Sequence, residues 1–254
     1  MKVFILCGGF GTRLNHQGKL LSKTMIKIAN EPILTHIIKN FSNQGFNEFV
    51  LCGGYKIETI KNYFLKKKIK ILKKEKNFLS FNFNLNNQNI LIDILYTGKD
   101  SGTGGRLKIA YKKLKMKDDF IATYGDGLSN VSVKKLINFH YKNQSELTLT
   151  AVRPKQRYGI IKINKNKVKF FDNSKSKSDV YINGGFFIVS KNIINSIKNN
   201  KIYLENEPFK KLIKRKKLFS FKHNGFWASM DTLKDKNDLD KLAKTNKKLP
   251  WRFN

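Results

Sequence analysis

The residues with the clearest chemical potential form a glycine-rich run near the start of the chain. Leu6-Cys7-Gly8-Gly9-Phe10-Gly11-Thr12-Arg13-Leu14 leaves a short apolar stretch and turns at once. Glycines let backbone N–H groups close on a phosphate, and Arg13 adds a fixed positive fork. The Walker pattern is absent, because no Gly-Lys-Ser/Thr follows at the needed spacing. A dinucleotide fingerprint would need glycine where Arg13 stands. The acidic residue it wants about twenty positions on is Glu31, which precedes Pro32 at a helix start. Taken alone, such a strand exit is equally an ordinary tight turn. His16, His36, His140 and His223 show no metal-ligand spacing.

The hydrophobic pattern predicts the scaffold that must position this loop. Val3 to Cys7 reads as a buried parallel strand ending at glycines. Residues 31–44 read as a helix: Ile33, Ile37 and Phe41 recur at helical spacing, Pro32 suits the first turn, and Gly45 is a stop. Strands follow at 49–52, 90–96 and 120–123, the last leading into Gly125-Asp126-Gly127. Helices are predicted at 57–65, 106–114 and 131–140. Strand signals then crowd at 147–152, 159–163, 167–171 and 181–189. Helices at 191–197 and 207–213, a strand at 218–222 and a helix at 232–242 close the pattern.

This alternation predicts an α/β fold. We expect a Rossmann-like, mixed, mostly parallel sheet flanked by helices, with a small C-terminal cap, as a single domain over 1–254. The site belongs at the C-terminal ends of the strands. Ile5-Leu6-Cys7-Gly8-Gly9 echoes Val50-Leu51-Cys52-Gly53-Gly54, which reads as two parallel strands with similar exits rather than a repeat. Residues 80–89 alternate Phe and Leu with Asn and Ser. They read as a half-exposed strand of a protruding hairpin or arm, with an apolar face suited to an oligomer contact. The Lys-rich run 66–76 carries no obvious chemistry.

The chain has 254 residues, enough for a sizeable core, and a formal net charge of +33. So basic a balance raises nucleic-acid or anionic-membrane binding. Of 51 basic residues, however, only six are Arg, and Asn is abundant at 28. Readers of phosphate and guanine usually carry Arg as well. The charge therefore reads as a solvated Lys-rich surface, with no specific nucleic acid as partner. No apolar run is long enough to insert in a membrane, and the N-terminus does not read as a signal peptide. Two cysteines exclude a disulfide scaffold and suit the reducing cytoplasm.

Further motifs carry a resemblance. Gly8-Gly9-x-Gly11-Thr12-Arg13-Leu14, Lys23 with Met25, and Pro32-Ile33-Leu34 resemble the opening of nucleoside-triphosphate sugar-1-phosphate nucleotidyltransferases. Thr103-Gly104-Gly105-Arg106-Leu107, Thr123-Tyr124-Gly125-Asp126-Gly127, Ile182-Asn183-Gly184-Gly185-Phe186-Phe187 and Gly225-Phe226-Trp227 with Met230-Asp231-Thr232 narrow it. Together they resemble the glucose-1-phosphate cytidylyltransferases, from Met1 to about Trp251.

The resemblance implies the nucleotidyltransferase fold, a homo-oligomer and Mg²⁺-dependent transfer of a cytidylyl group from CTP to a sugar 1-phosphate. The partners would be CTP and glucose 1-phosphate, the products CDP-glucose and pyrophosphate. The nucleophile is already an anion, so the site must neutralise charge and align the reactants. Asp126 and Asp231 would hold the metal. Each has an ordinary alternative, Asp126 as a turn residue and Asp231 as a helix cap. Arg13 would grip the leaving part of the triphosphate, and Lys23 the α-phosphate or acceptor phosphate. The backbone of Leu6, Cys7, Gly8, Gly9, Phe10, Gly11 and Thr12 would hold base and phosphates. Ser101 and Arg106 would serve cytosine recognition, and Gly125 would pack on the nucleotide. Tyr158, Gly159, Asn183 and Gly184 would face the acceptor. Phe226 and Trp227 read as core. Where the family has Phe-x-Glu-Lys-Pro, the chain has Phe170-Phe171-Asp172-Asn173-Ser174, so Asn173 replaces the lysine that meets the sugar phosphate. Lys175 or Lys177 would have to substitute, or the acceptor differs. The rivals are a related nucleotidyltransferase with another acceptor or nucleotide, and a non-catalytic anion-binding or nucleic-acid-binding protein.

Overall fold

Short runs of Val, Ile, Leu and Phe between glycines and lysines become strands, because branched and aromatic side chains pack well on a pleated surface. The computed structural model describes residues 1–9, 11, 14, 21–154, 160–172, 180–246 and 248–253. Its strands are β1 (Val3–Cys7), β2 (Lys27–Ile28), β3 (Glu31–Pro32), β4 (Glu48–Gly53), β5 (Ile69–Glu75), β6 (Phe78–Leu85), β7 (Gln88–Tyr96), β8 (Phe120–Tyr124), β9 (Gly127–Ser129), β10 (Leu147–Val152), β11 (Ile160–Asn164), β12 (Lys167–Asp172), β13 (Ile182–Val189), β14 (Leu218–His223) and β15 (Trp227–Ser229). The helices are α1 (Ile33–Ser42), α2 (Ile57–Leu65), α3 (Thr103–Lys113), α4 (Val133–Lys142), α5 (Lys191–Ser196), α6 (Glu207–Lys214) and α7 (Leu233–Thr245). A 3₁₀ turn covers Lys23–Met25.

Nine strands form one sheet in the order β14-β10-β13-β8-β1-β4-β7-β6-β5. Strands β8, β1, β4 and β7 are parallel neighbours, and only β6 and β13 oppose the common direction. Side chains of β1 alternate between two buried layers. Val3, Ile5 and Cys7 pack with α1, α2, α4 and α7, while Phe4 and Leu6 pack with α3, α5 and α6. The expected α/β architecture is therefore present, and β1 sits at its centre.

Some local expectations need correction. The helix expected from residue 31 starts at Ile33, because Glu31 and Pro32 pair with Ile28 and Lys27. The helix expected from Arg106 starts at Thr103, although Gly104 and Gly105 are poor helix formers. Their bare backbone lies against residues 200–204, where a Cβ on Gly105 would stand 1.9 Å from the Asn200 oxygen. Residues 80–89 do lie in antiparallel hairpins, β5–β6 and β6–β7, but these belong to the main sheet rather than to a separate arm. Strand β6 lies inside the sheet, and Leu79, Phe81 and Leu85 of its apolar face are buried in the core. The Lys-rich run forms β5 at the sheet edge, where lysines discourage further strand pairing.

Candidate active site

The C-terminal ends of β1 and β8 open onto a cavity of about 590 Å³. Its wall contains Leu6, Gly8, Gly9, Lys23, Ser101, Arg106, Gly125, Asp126, Asn183 and Asp231. The fold thus gathers residues from Leu6 to Asp231, near opposite ends of the sequence. Phe10, Thr12, Arg13, Tyr158, Gly159 and Asn173 lie outside the described residues.

Two short pairings bring the acidic residues together. Gly125 donates its N–H to Leu6 O at 3.1 Å, which fastens the end of β8 to β1. A Cβ there would stand 2.4 Å from Thr24 Cγ2, so the position admits only glycine without displacement. Beyond it, β9 pairs with β15, with Gly127 opposite Ser229, and Met230 N–H donates to Asp126 O at 2.9 Å. Asp126 and Asp231 consequently converge. The Lys23 ammonium lies between them, 2.5 Å from Asp126 Oδ2 and 2.8 Å from Asp231 Oδ1. Ser229 Oγ donates to the other Asp231 oxygen at 3.2 Å.

Lys23 is held from below. It starts the 3₁₀ turn, and the preceding Ser22 is fully buried, its Oγ 3.4 Å from Cys7 O and 3.1 Å from Thr24 Oγ1. Burial draws the Lys23 pKa down, but Asp126 and then Asp231 outweigh it, and the net direction is upward. The ammonium is therefore a permanent cation. Asp231 is not the helix cap: Thr232 caps α7 in a capping box with Asp235.

Arg106 is the residue expected to serve the base. It stands in the wall, yet its guanidinium is engaged with the protein itself. Nη1 donates to Gly53 O, Thr97 Oγ1 and Gly98 O at 3.2, 3.0 and 2.6 Å. Nη2 donates to Gly8 O and Lys99 O at 3.2 and 3.0 Å. The echo between the β1 and β4 exits now has a cause. Cys7 lies opposite Gly53, and both exits close around this one guanidinium. A Cβ on Gly8 would sit 2.1 Å from Arg106 Cζ, and one on Gly54 2.4 Å from Nη1. Ser101 is in the same wall and donates to Thr97 O at 2.6 Å.

Cys7 lies outside the cavity wall. It is buried, and burial pushes its thiol up to about 12. Gly184 contributes its carbonyl, which accepts from Trp227 Nε1 at 2.8 Å. Trp227 is accordingly a wall residue rather than pure core, while Phe226 packs against the core as expected. Sequence reasoning also missed Tyr124, Thr103 and Ser229 in the wall and Glu205 behind it. Tyr124 had a signal, since it directly precedes Gly125-Asp126. Glu205 had none, lying in an acidic stretch before a helix.

Among the described residues, no three His, Cys, Asp or Glu side chains cluster as a metal cage. Two converging carboxylates with a cation between them instead fit Mg²⁺, which binds through one or two carboxylates plus substrate phosphates. The donor set is hard oxygen throughout, as that ion requires.

Comparison with known proteins agrees with this geometry. The model of the Nucleotidyl transferase family matches residues 2–235. Glucose-1-phosphate cytidylyltransferase of Salmonella typhimurium is 35% identical over 255 residues, covering 99% of each chain. The protein of the same name from Salmonella typhi matches equally, at 35% and 99% of each chain. Among solved structures, HddC from Yersinia pseudotuberculosis, complexed with GMP-PN, has the same fold, with a TM-score of 0.69 over 94% of this chain and 98% of that one, at 24% identity. No helix of the described residues is long and apolar enough to cross a membrane. With the motifs, the sheet and the converging Lys23, Asp126 and Asp231 in place, the chain belongs to the nucleotidyl transferase family, among its glucose-1-phosphate cytidylyltransferases.

Proposed function

We propose that the chain moves the cytidylyl group of CTP onto glucose 1-phosphate and releases pyrophosphate. The observation that carries this reading is the Lys23 ammonium between Asp126 and Asp231 where β1 and β8 end. A phosphate oxygen of the sugar phosphate attacks the α-phosphorus of CTP. A new P–O bond forms, the bond to the oxygen bridging the β-phosphate breaks, and its electron pair leaves on pyrophosphate. The attacking oxygen is already anionic, so alignment and charge neutralisation do the work.

Asp126 and Asp231 would hold Mg²⁺, which when bound supplies positive charge against the phosphates. Lys23 offers its N–H groups to oxygens of the α-phosphate as negative charge grows there. Arg106 keeps the Gly8 and Lys99 backbones in place, and so shapes the nucleotide wall indirectly. In this reading Arg13 grips the leaving pyrophosphate, with Phe10 and Thr12 completing the loop and Ser101 beside the nucleotide. Tyr158 and Gly159 join Asn183 on the acceptor side. The cavity of about 590 Å³ falls in the usual ligand-pocket range of roughly 300–1,000 Å³. Cytosine and glucose are supported by the names of the 35% identical relatives. We take residues 1–254 as one unit acting as a homo-oligomer in the cytoplasm, a compartment that suits two free, buried thiols. Asn173 in place of the family lysine favours one second reading, the same mechanism with another phosphorylated acceptor.

Asp126→Asn and Asp231→Asn test the reading. Each should lower Mg²⁺-dependent pyrophosphate release from CTP and glucose 1-phosphate by about 10²-fold or more, with Tm shifted by only a few degrees. Unchanged turnover in either folded variant would contradict it.

A further inference from the structure

A second polar network adjoins the cavity and uses none of the three charged residues above. Asn183 Nδ2 donates to the Tyr124 hydroxyl at 3.0 Å. That hydroxyl donates to Glu205 Oε1. Glu205 Oε2 accepts from Thr103 Oγ1 at 2.5 Å, and Thr103 Oγ1 accepts from Leu204 N–H at 2.8 Å. Thr103, Tyr124 and Asn183 line the cavity, whereas Glu205 does not. The segment carrying Glu205 is fixed by backbone bonds to the start of α3, from Gly102 N–H to Asn200 O at 2.9 Å and Gly105 N–H to Ile202 O at 3.0 Å.

The chemistry of the groups sets every direction in this chain. An ionised carboxylate only accepts, so both hydroxyls spend their protons on Glu205. The Tyr124 hydroxyl has a single proton, and that proton goes to the Glu205 contact. The Tyr124 oxygen is left as an acceptor, and Asn183 must turn its NH₂ toward it. The Asn183 Oδ1 in turn accepts from Gly185 N–H at 3.0 Å. The amide cannot flip without breaking both contacts. Among the described residues, its second amide hydrogen has no partner and remains for a ligand oxygen.

We propose that Glu205 is a positioning residue for the acceptor. Through Tyr124 it fixes Asn183 as a hydrogen-bond donor to a hydroxyl oxygen of the acceptor sugar, without itself touching substrate. This rests on the activity proposed above. A plain latch between α3 and residues 200–205 would need only the Thr103 contact. The Tyr124 contact extends the polarity of the carboxylate into the cavity.

The test is steady-state kinetics of pyrophosphate release on the full chain, varying CTP and glucose 1-phosphate separately. Glu205→Gln replaces one acceptor oxygen with a donor and reverses the order of the network. It should raise the KM for glucose 1-phosphate about tenfold, with kcat and the KM for CTP within about twofold. Combining it with Tyr124→Phe should add nothing to the KM rise of Tyr124→Phe alone, because Glu205 acts through that hydroxyl. Glu205→Asp keeps the charge and withdraws it by one methylene, so it should give an intermediate rise; it serves if Glu205→Gln does not fold. Equal changes in both KM values, additive effects, or a Tm loss with unchanged KM would overturn the proposal. A wild-type chain that does not turn over this pair would instead overturn the activity reading, and this proposal with it.

Discussion

Lys23 is one of 45 lysines, and its neighbours set it apart from the rest. Its side chain is 12% exposed and bridges two carboxylates that come from opposite halves of the chain. Removing the cation takes away the positive charge that lies between Asp126 and Asp231. Lys23→Met should therefore lower turnover by about 10²-fold, as loss of one charge-stabilising donor does. It should also bind Mn²⁺ more tightly than the wild type in the absence of nucleotide, as read by electron paramagnetic resonance. Weaker Mn²⁺ binding would show that Lys23 does not compete for these carboxylates. At this scale the sequence was informative where motifs name a side chain: Lys23, Gly125, Asp126, Asn183 and Asp231 all reach the cavity. Arg106 stands in the wall, and the contacts that hold it there were hidden. Its partners are chiefly backbone carbonyls of separate loops, and carbonyls leave no signature in a sequence.

Elements reach the site through a few polar pins. The β9–β15 pairing carries Asp231 to Asp126, and neither strand was legible because three-residue strands show no periodicity. Long elements were legible: β1, α2 and β10 occupy the residues their patterns predict. Two buried histidines pin helices elsewhere. His36 Nε2 lies 2.8 Å from Ile28 O, and Trp251 Nε1 lies 3.4 Å from His36 Nδ1, joining α1 to β2 and the C-terminal segment. His140 Nδ1 lies 2.9 Å from Thr148 Oγ1, joining α4 to β10. Burial holds both below the ordinary value of 6.5. A histidine depressed in the folded state is protonated more readily once unfolded. Its stabilisation is present above the unfolded pKa and lost as pH falls below it. Tm should therefore be level above about pH 7 and drop by several degrees by about pH 5. A Tm that stays level down to about pH 5 would show that these pins tolerate protonation.

At the scale of the whole molecule, charge alone does not name the chemistry. The net charge of +33 raises nucleic-acid binding, but 45 lysines against six arginines read as a solvated surface, and the fold, the family and the cavity are those of a nucleotidyltransferase. The three-layer arrangement was legible because it follows from alternating strands and helices, the first half of the chain above all. A hairpin was legible in the half-apolar stretch, but its place at the edge of the main sheet was not, because lysines and half-apolar strands suit an arm and a sheet edge alike. The central claim is that this scaffold joins CTP to a sugar phosphate. Its most direct measurement is Mg²⁺-dependent pyrophosphate release by the purified chain, crossing CTP, UTP, dTTP and GTP against glucose 1-phosphate and other phosphorylated acceptors. The account predicts the highest kcat/KM for CTP with glucose 1-phosphate. Turnover of CTP with another acceptor alone would replace the substrate, and no turnover of any pair by folded protein would contradict the account.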